Sequence, residues 1–510
     1  MFSEADAKTS PWVDIDVKKI PWVLRWCSEF AYILGSQADL NKLNQNKADL
    51  ICVAIFVPER GMTQNPLILK EAETALQLYL NPARLKKIND ETLKPYPDLV
   101  NEDLDVLFNA ARFGVADKEV VALTKDVEFN PDDASKTYVV FSVEGLHSLS
   151  PTMDKTKINK DTILKNLDEL RAKLPIVSIN ITHLEQYPFI NHAYGIQFVA
   201  NEDFRPTGDR YSSDGIDIVR HCYENNILID LKHQSLATRR MLIEDIRKRP
   251  DFQNILQPLV CTHAGFTGLS YNDIPDYLDF KKVKNKNYSY ILWGKPRKYE
   301  MLDLSMAFNP SSINLYDEDI LAVLESGGMI GLNMDKRILG YSESDSRTPT
   351  ADELAFEEEY VSNAETNVYL TRKAIGKKMN DNYCITTLEV IQGGDVNPQL
   401  AFYHLCHFMQ HILHFIKVAQ QTADVNKALT QICIGSDFDG IINPVWCCAS
   451  VNDLDNFKSQ FIKNFPSFAK QNNDKVALPA GFDVNKFADD FFFENGKNFV
   501  LNRLKILYGK

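Results

Sequence analysis

The chain has 510 residues, a net charge of −13 and a pI near 5.4, a balance that argues against nucleic acid or an anionic membrane surface as its partner. No run of 18 apolar residues occurs, and the start, Met1-Phe2-Ser3-Glu4-Ala5-Asp6, has neither the basic nor the apolar segment of a secretion signal. Hydrophobic residues at 45%, 29 of them Phe, suffice for a large core, and nine Cys fit reduced thiols, so the expectation is a cytoplasmic globular protein.

Along the chain, Trp22–Leu34 has a helical pattern. Seven short apolar runs then read as strands: Leu50–Val57, Tyr138–Val143, Ile176–Thr182, Ile227–Leu231, Pro258–Thr262, Gly328–Asn333 and Ile432–Gly435. Helical patterns fill gaps between them at Thr162–Leu174, Asp214–Asn225, Ala237–Arg247, Asp317–Glu325 and Leu400–Gln421. Near-continuous apolar strands suit a parallel sheet covered on both faces. Their alternation with helices predicts a parallel α/β fold, either a closed barrel or an open doubly wound sheet.

Three stretches are too long for simple crossovers: 64–135, with a helical run Leu67–Leu80; 264–312, with the basic run Lys281–Lys286, read as a solvated loop; and 335–398, with a charged helical run Ala351–Lys378. With neither repeat nor low-complexity linker, residues 1–510 are expected to form one decorated domain.

The strand ends carry the chemistry. Tyr138–Val143 ends in Glu144, Ile176–Thr182 in His183, Ile227–Leu231 leads to Lys232-His233, Pro258–Thr262 ends in His263, and the last strand ends in Asp437. Catalytic groups collect at this edge of an α/β barrel, because the βα loops there are free to vary. A lone His after a strand is usually a structural residue, but five such groups in phase suit zinc or a similar divalent ion. His404, His407, His411 and His414 share a helical face, but that helix is expected on the outside of a barrel, where a metal site is disfavoured. His147, three residues past Glu144, is a candidate to support the ligands from behind.

Val143-Glu144-Gly145, Ile181-Thr182-His183, Ile229-Asp230-Leu231-Lys232-His233, Val260-Cys261-Thr262-His263 and Gly435-Ser436-Asp437-Phe438-Asp439-Gly440 together resemble the membrane (renal) dipeptidase family. The resemblance runs from about Ala48 to Asn495-Gly496-Lys497-Asn498-Phe499-Val500, and Asn314-Leu315-Tyr316-Asp317 followed by Gly327-Gly328 falls in the family's order. It implies a (β/α)8 TIM-type metal-dependent hydrolase barrel with two zinc ions, a dipeptide-like substrate and a homodimer. Glu144 would bridge the two ions, and His233 and His263 would complete the shell of the second. Asp437 would bind the first and handle the proton of the attacking water, while His183 would stabilise the oxyanion. Zinc lowers the pKa of bound water from roughly 16 to about 7, which makes a nucleophile available at neutral pH.

The chain departs from that pattern in three places. Family members carry His-x-Asp at the end of the first barrel strand; here the first His is His147, and seven strands are counted where eight are needed. The absent strand and absent pair are read as one gap, with Met1 an internal Met and a start upstream that could have carried a signal. Asn309-Pro310-Ser311-Ser312-Ile313-Asn314 lacks the Arg that grips a dipeptide carboxylate, leaving Arg297 or Lys298 to supply it, and Lys232 stands where Ser is usual. Two alternatives stay open: a barrel amidohydrolase acting on another amide, acyl-amino acid or lactone, and a catalytically impaired barrel kept as a binding module.

Overall fold

The computed structural model describes residues 35–46, 48–63, 82–109, 119–195, 202–206, 210–272, 278–293, 308–309, 311–340, 357–362 and 398–509. The expected helices at Trp22–Leu34 and Leu67–Leu80 lie outside these residues. The chain forms two compact units, one of Met1–Gln234, Glu244–Gln257 and Phe499–Lys510, the other of Ser235–Ile243 and Pro258–Asn498.

The first unit is built on strands β1 (Leu50–Ile55), β2 (Glu119–Ala122), β3 (Lys136–Glu144), β4 (Ile176–Asn180) and β5 (Leu228–Ile229). The order is β1-β3-β4-β5 with every pairing parallel, and β2 pairs in parallel with the first half of β3. Val139, Val140, Phe141 and Val143 of β3 are all fully buried, the consequence of covering both faces. Each such side chain contributes about 1.5–3 kcal/mol. Helices α1 (Tyr96–Leu107), α2 (Lys160–Arg171) and α3 (Ser213–Glu224) belong to this unit. The Asn159 side chain caps α2 at the Thr162 N–H and Ser212 caps α3 at the Gly215 N–H, satisfying donors with no partner inside the helix. Ile163, Leu167 and Leu170 form the buried stripe of α2, and Ile218, Val219 and Cys222 that of α3.

The second unit contains β6 (Val260–Ala264), β7 (Leu278–Lys282), β8 (Tyr288–Trp293), β9 (Met329–Leu332), β10 (Glu357–Ser362) and β11 (Ile432–Ile434). Strands β11-β9-β6 form a parallel sheet, and β10-β8-β7 an antiparallel one. Helix α4 (Asp317–Glu325) packs on α5 (Pro398–Ala419), which packs on α6 (Leu454–Gln471). Much of the phenylalanine content sits here: Phe408 meets Phe457 edge-on at 4.9 Å, and Phe461 stacks on Phe465 at 4.8 Å.

All seven strands expected from the sequence are present. The closed barrel is not formed among the described residues, whose principal strands fall in two parallel sheets, β1-β3-β4-β5 and β11-β9-β6. The insertions add an antiparallel sheet that the sequence reading did not contain. Within Ala351–Lys378, read as a helix, Glu357–Ser362 pairs instead with Tyr288–Trp293. Tyr360 and Val361 have the aromatic and β-branched side chains a strand favours, and an aromatic-rich partner strand outweighs the local helical pattern. The Lys281–Lys286 run is likewise part strand and part turn, with Asn285 in left-handed backbone at φ 61°.

Candidate functional site

Parallel pairing brings the C-terminal ends of neighbouring strands to one edge. In the first unit, Ile55 of β1 lies opposite Val143, Glu144 of β3 opposite Asn180, and Ile179 of β4 opposite Ile229. The last residue of β3 and the chain continuing past β1, β4 and β5 deliver Glu144, Glu59, His183 and His233 to that edge. Glu144 Oε1 lies 3.0 Å from His233 Nε2 and 3.7 Å from His183 Nε2, and the two imidazoles meet edge-on with centroids 4.4 Å apart. His183 Nδ1 lies 2.6 Å from Glu59 Oε1, which also accepts the Leu184 N–H at 3.1 Å.

This group is almost closed to solvent: Glu144 is 8% exposed, His233 5% and Glu59 1%. Burial, reinforced by the neighbouring His183, pushes the His233 imidazole well below its ordinary pKa even though Glu144 pulls the other way. A neutral imidazole is the form that coordinates a metal. Burial alone would raise the Glu59 carboxyl; the flanking His183 and His147 rings overcome it and hold Glu59 at about 2. Glu185 shows the opposite balance, raised to about 8 by burial and by the Glu59 charge. His233 stands in left-handed backbone at φ 66°, a strained conformation for a residue with a side chain and one that clusters at functional sites.

Gly145 makes the turn after Glu144 at φ 83°, where a Cβ would lie 2.3 Å from His147 Nδ1. That space lets His147 fold back and donate Nε2–H to the Val57 carbonyl at 2.7 Å. His147 is fully enclosed, and burial lowers its pKa. It supports the β1 loop from behind.

In the second unit, His263 lies within β6, with its Nδ1 2.9 Å from Thr262 Oγ1. Asp437 follows β11 on the Gly435–Gly440 turn, where Asp437 and Asp439 both take left-handed backbone, at φ 57° and 63°. Asn333, just past β9, donates from Nδ2 to the His263 carbonyl at 3.3 Å and to Asp437 Oδ2 at 3.5 Å. Gly435 opens the turn because a Cβ there would lie 2.0 Å from the Thr262 carbonyl oxygen. The Gly435-Ser436-Asp437 signature thus reflects a close approach of strands.

The structure brings Glu144, His183 and His233 together in the first unit, and joins His263 to Asp437 through Asn333 in the second. Glu59 and Asn333 were not anticipated. The four His of α5 are buried and engaged in packing: His404 Nδ1 accepts the Trp446 N–H at 2.9 Å, His411 Nε2 donates to the Leu339 carbonyl at 2.7 Å, and His414 Nε2 sits 2.8 Å from Asp317. Arg239, fully buried, spends its guanidinium on Asp319 at 2.9 Å and on the carbonyls of Ser312 and Asn314, fixing the segment in which the dipeptide-gripping Arg was sought. Arg297 and Lys298 lie outside the described residues. The seven Cys among the described residues are free thiols, and no helix among those residues is long and apolar enough to cross a membrane.

No family model and no curated protein matches the chain. Among solved structures it is similar to "dipeptidase AC", a metallopeptidase, at 14% identity over 93% of this chain and 90% of that one, with a TM-score of 0.45. It is also similar to a metallopeptidase from Rhodobacter sphaeroides liganded with a phosphinate mimic of L-Ala-D-Ala, at 15% identity over 92% and 90%, with a TM-score of 0.46. The probable dipeptidase PvdM from Pseudomonas aeruginosa shows 13% identity over 93% and 90%, with a TM-score of 0.46.

Proposed function

We propose that this chain is a metal-dependent hydrolase that cleaves a peptide or related amide bond in a small, dipeptide-like substrate, as members of the membrane dipeptidase family do. The observation that carries the reading is the buried Glu144 carboxylate with two imidazoles, His183 and His233, turned onto one of its oxygens. Carboxylate and neutral imidazole are the donor set of hydrolytic zinc sites. By donor type, Glu144 and His233 of the first unit are proposed ligands of a divalent ion such as zinc, and His263 and Asp437 of the second unit offer further ligands of the same kinds. Such an ion supplies Lewis acidity and lowers the pKa of bound water toward about 7.

The protein's own groups do the rest. Asp437 accepts the proton of the attacking water and returns it to the leaving amine, the task of a positioned carboxylate. His183 faces the developing oxyanion with Nε2 and, when that nitrogen carries a proton in addition to the one Nδ1 gives to Glu59, stabilises its charge in a site from which water is largely excluded. Burial keeps His233 neutral, so its ring nitrogen serves as a ligand without first losing a proton. In the test, the zinc-supplemented chain is assayed against a panel of dipeptides and acyl-amino acids. Asp437→Asn is expected to abolish turnover, a loss of at least about 100-fold, with the circular dichroism spectrum retained. Unchanged turnover in that variant would refute the role of Asp437.

A second substrate reading is favoured by one feature. The segment around Ser311–Asn314 carries no Arg, and the buried Arg239 that contacts it is committed to Asp319 and to backbone carbonyls. A substrate without a free C-terminal carboxylate, such as another amide or a lactone, would not need that grip. Preference for blocked over free dipeptides in the same panel would select this reading.

A further inference from the structure

We propose that Glu59 is a positioning residue for His183: it fixes which ring nitrogen of His183 is committed to the protein and which faces the substrate. The proposal rests on the hydrolase reading for its catalytic consequence and on the geometry of the first unit for everything else.

A carboxylate only accepts hydrogen bonds, so the 2.6 Å contact between Glu59 Oε1 and His183 Nδ1 places a proton on Nδ1. Nε2 is then the nitrogen left toward Glu144, 3.7 Å from its Oε1 and too far for a hydrogen bond of normal length. Fixing one nitrogen by what the other touches is how proteins choose an imidazole's tautomer and aim. The same Glu59 oxygen accepts the Leu184 N–H at 3.1 Å, so ring and following backbone are held at one point.

A positioning group must itself be rigid, and the segment bearing Glu59 is tied at every step. The Val57 N–H donates to Ser148 Oγ at 3.1 Å, and the Val57 carbonyl accepts from His147 Nε2 at 2.7 Å. The Pro58 carbonyl accepts from the Tyr96 hydroxyl at 3.3 Å, and the Gly61 N–H donates to Glu185 Oε1 at 2.7 Å. Ser148 and His147 belong to the loop after Glu144, and Glu185 to the loop after His183. Three strand-end loops therefore interlock around one carboxylate. Four anchors on five residues leave little conformational entropy to be lost when the site works. A carboxylate this deeply buried is costly to keep as mere filling.

Two variants separate positioning from packing and from charge. Glu59→Ala removes the acceptor, and Glu59→Gln removes the charge but keeps an oxygen that can accept from Nδ1. Full-length, metal-free protein labelled with ¹⁵N in its His side chains reports the ring directly, His183 being assigned from a His183→Asn spectrum. In the wild type and in E59Q, Nδ1 of His183 is expected in the protonated range; in E59A the His183 signals shift or average between tautomers. In the zinc-supplemented assay, E59A is expected to lose roughly 10–100-fold in kcat with KM within a few-fold, and E59Q to recover most of that loss. His183 signals unchanged in E59A, or a kcat unchanged in E59A, would overturn the proposal. Should E59A fail to fold, Glu59→Asp decides, because a carboxylate withdrawn by one methylene keeps its charge but cannot reach Nδ1; a ring spectrum identical to wild type would again overturn it. Absence of turnover in the wild type would count against the hydrolase reading alone, leaving the ring spectra to decide on Glu59.

Discussion

His192 shows what burial does to a single ionisable group. It is fully buried, with Nε2 3.0 Å from the Phe204 carbonyl, and its pKa is held down near 4 because the charged ring would lose its hydration. In the unfolded chain the same ring titrates near 6.5. Between those values the unfolded state binds more protons than the folded one, so stability is complete above about pH 6.5 and drains away as pH falls toward 4. The loss from this residue amounts to roughly 3 kcal/mol at the acid end. Urea midpoints at pH 7 and pH 4.5 check it: His192→Gln should fall less steeply than wild type, and parallel slopes would show that His192 is not the source. Glu144, His183, His233, His263 and Asp437 were legible in the sequence because each stands within a few residues of an apolar run that could only be a strand. Glu59 was not, since it lies four residues past Ile55 and beyond Pro58, and nothing local marks the loop as bent back toward His183. The contact that gives Glu59 its meaning spans more than a hundred residues of sequence.

Strands of the parallel sheets were readable because double-sided burial writes itself as a near-continuous apolar run, as in Val139–Val143. The antiparallel strands were not, because a strand such as Glu357–Ser362 carries three Glu and declares itself only through its partner. Glycine placement adds a constraint that composition hides. Gly435 sits where β11 crosses close to β6 and β9, with backbone atoms on both sides of the space a Cβ would fill. Gly435→Ala is expected to cost roughly 3 kcal/mol, because the atoms that must move are backbone rather than flexible side chain. Gly496 is the control: it lies in the helix Asn495–Tyr508, and a Cβ there meets only Cys433 at 3.6 Å. Gly496→Ala should be neutral or stabilise by up to about 1 kcal/mol. Thermal unfolding of the two variants tests the contrast, and equal losses would mean that the crossing is looser than the geometry requires.

For the whole molecule, the strand–helix rhythm made a parallel α/β fold legible. The division into two units with separate parallel sheets was not, because the sequence contains no linker-like stretch where one unit gives way to the other. The chain crosses between the units without a change of composition, at Gln234–Ser235, Ile243–Glu244, Gln257–Pro258 and Asn498–Phe499. Ligands drawn from several strand ends are proposed to hold a divalent ion. Zinc content after equilibration with Zn²⁺ and exhaustive dialysis, measured by elemental analysis on wild type and His233→Ala, tests it most directly. The wild type is expected to retain about one zinc per chain or more and the variant to lose it, with both proteins folded. A wild type that retains no zinc, or a variant that retains as much as the wild type, would contradict the account.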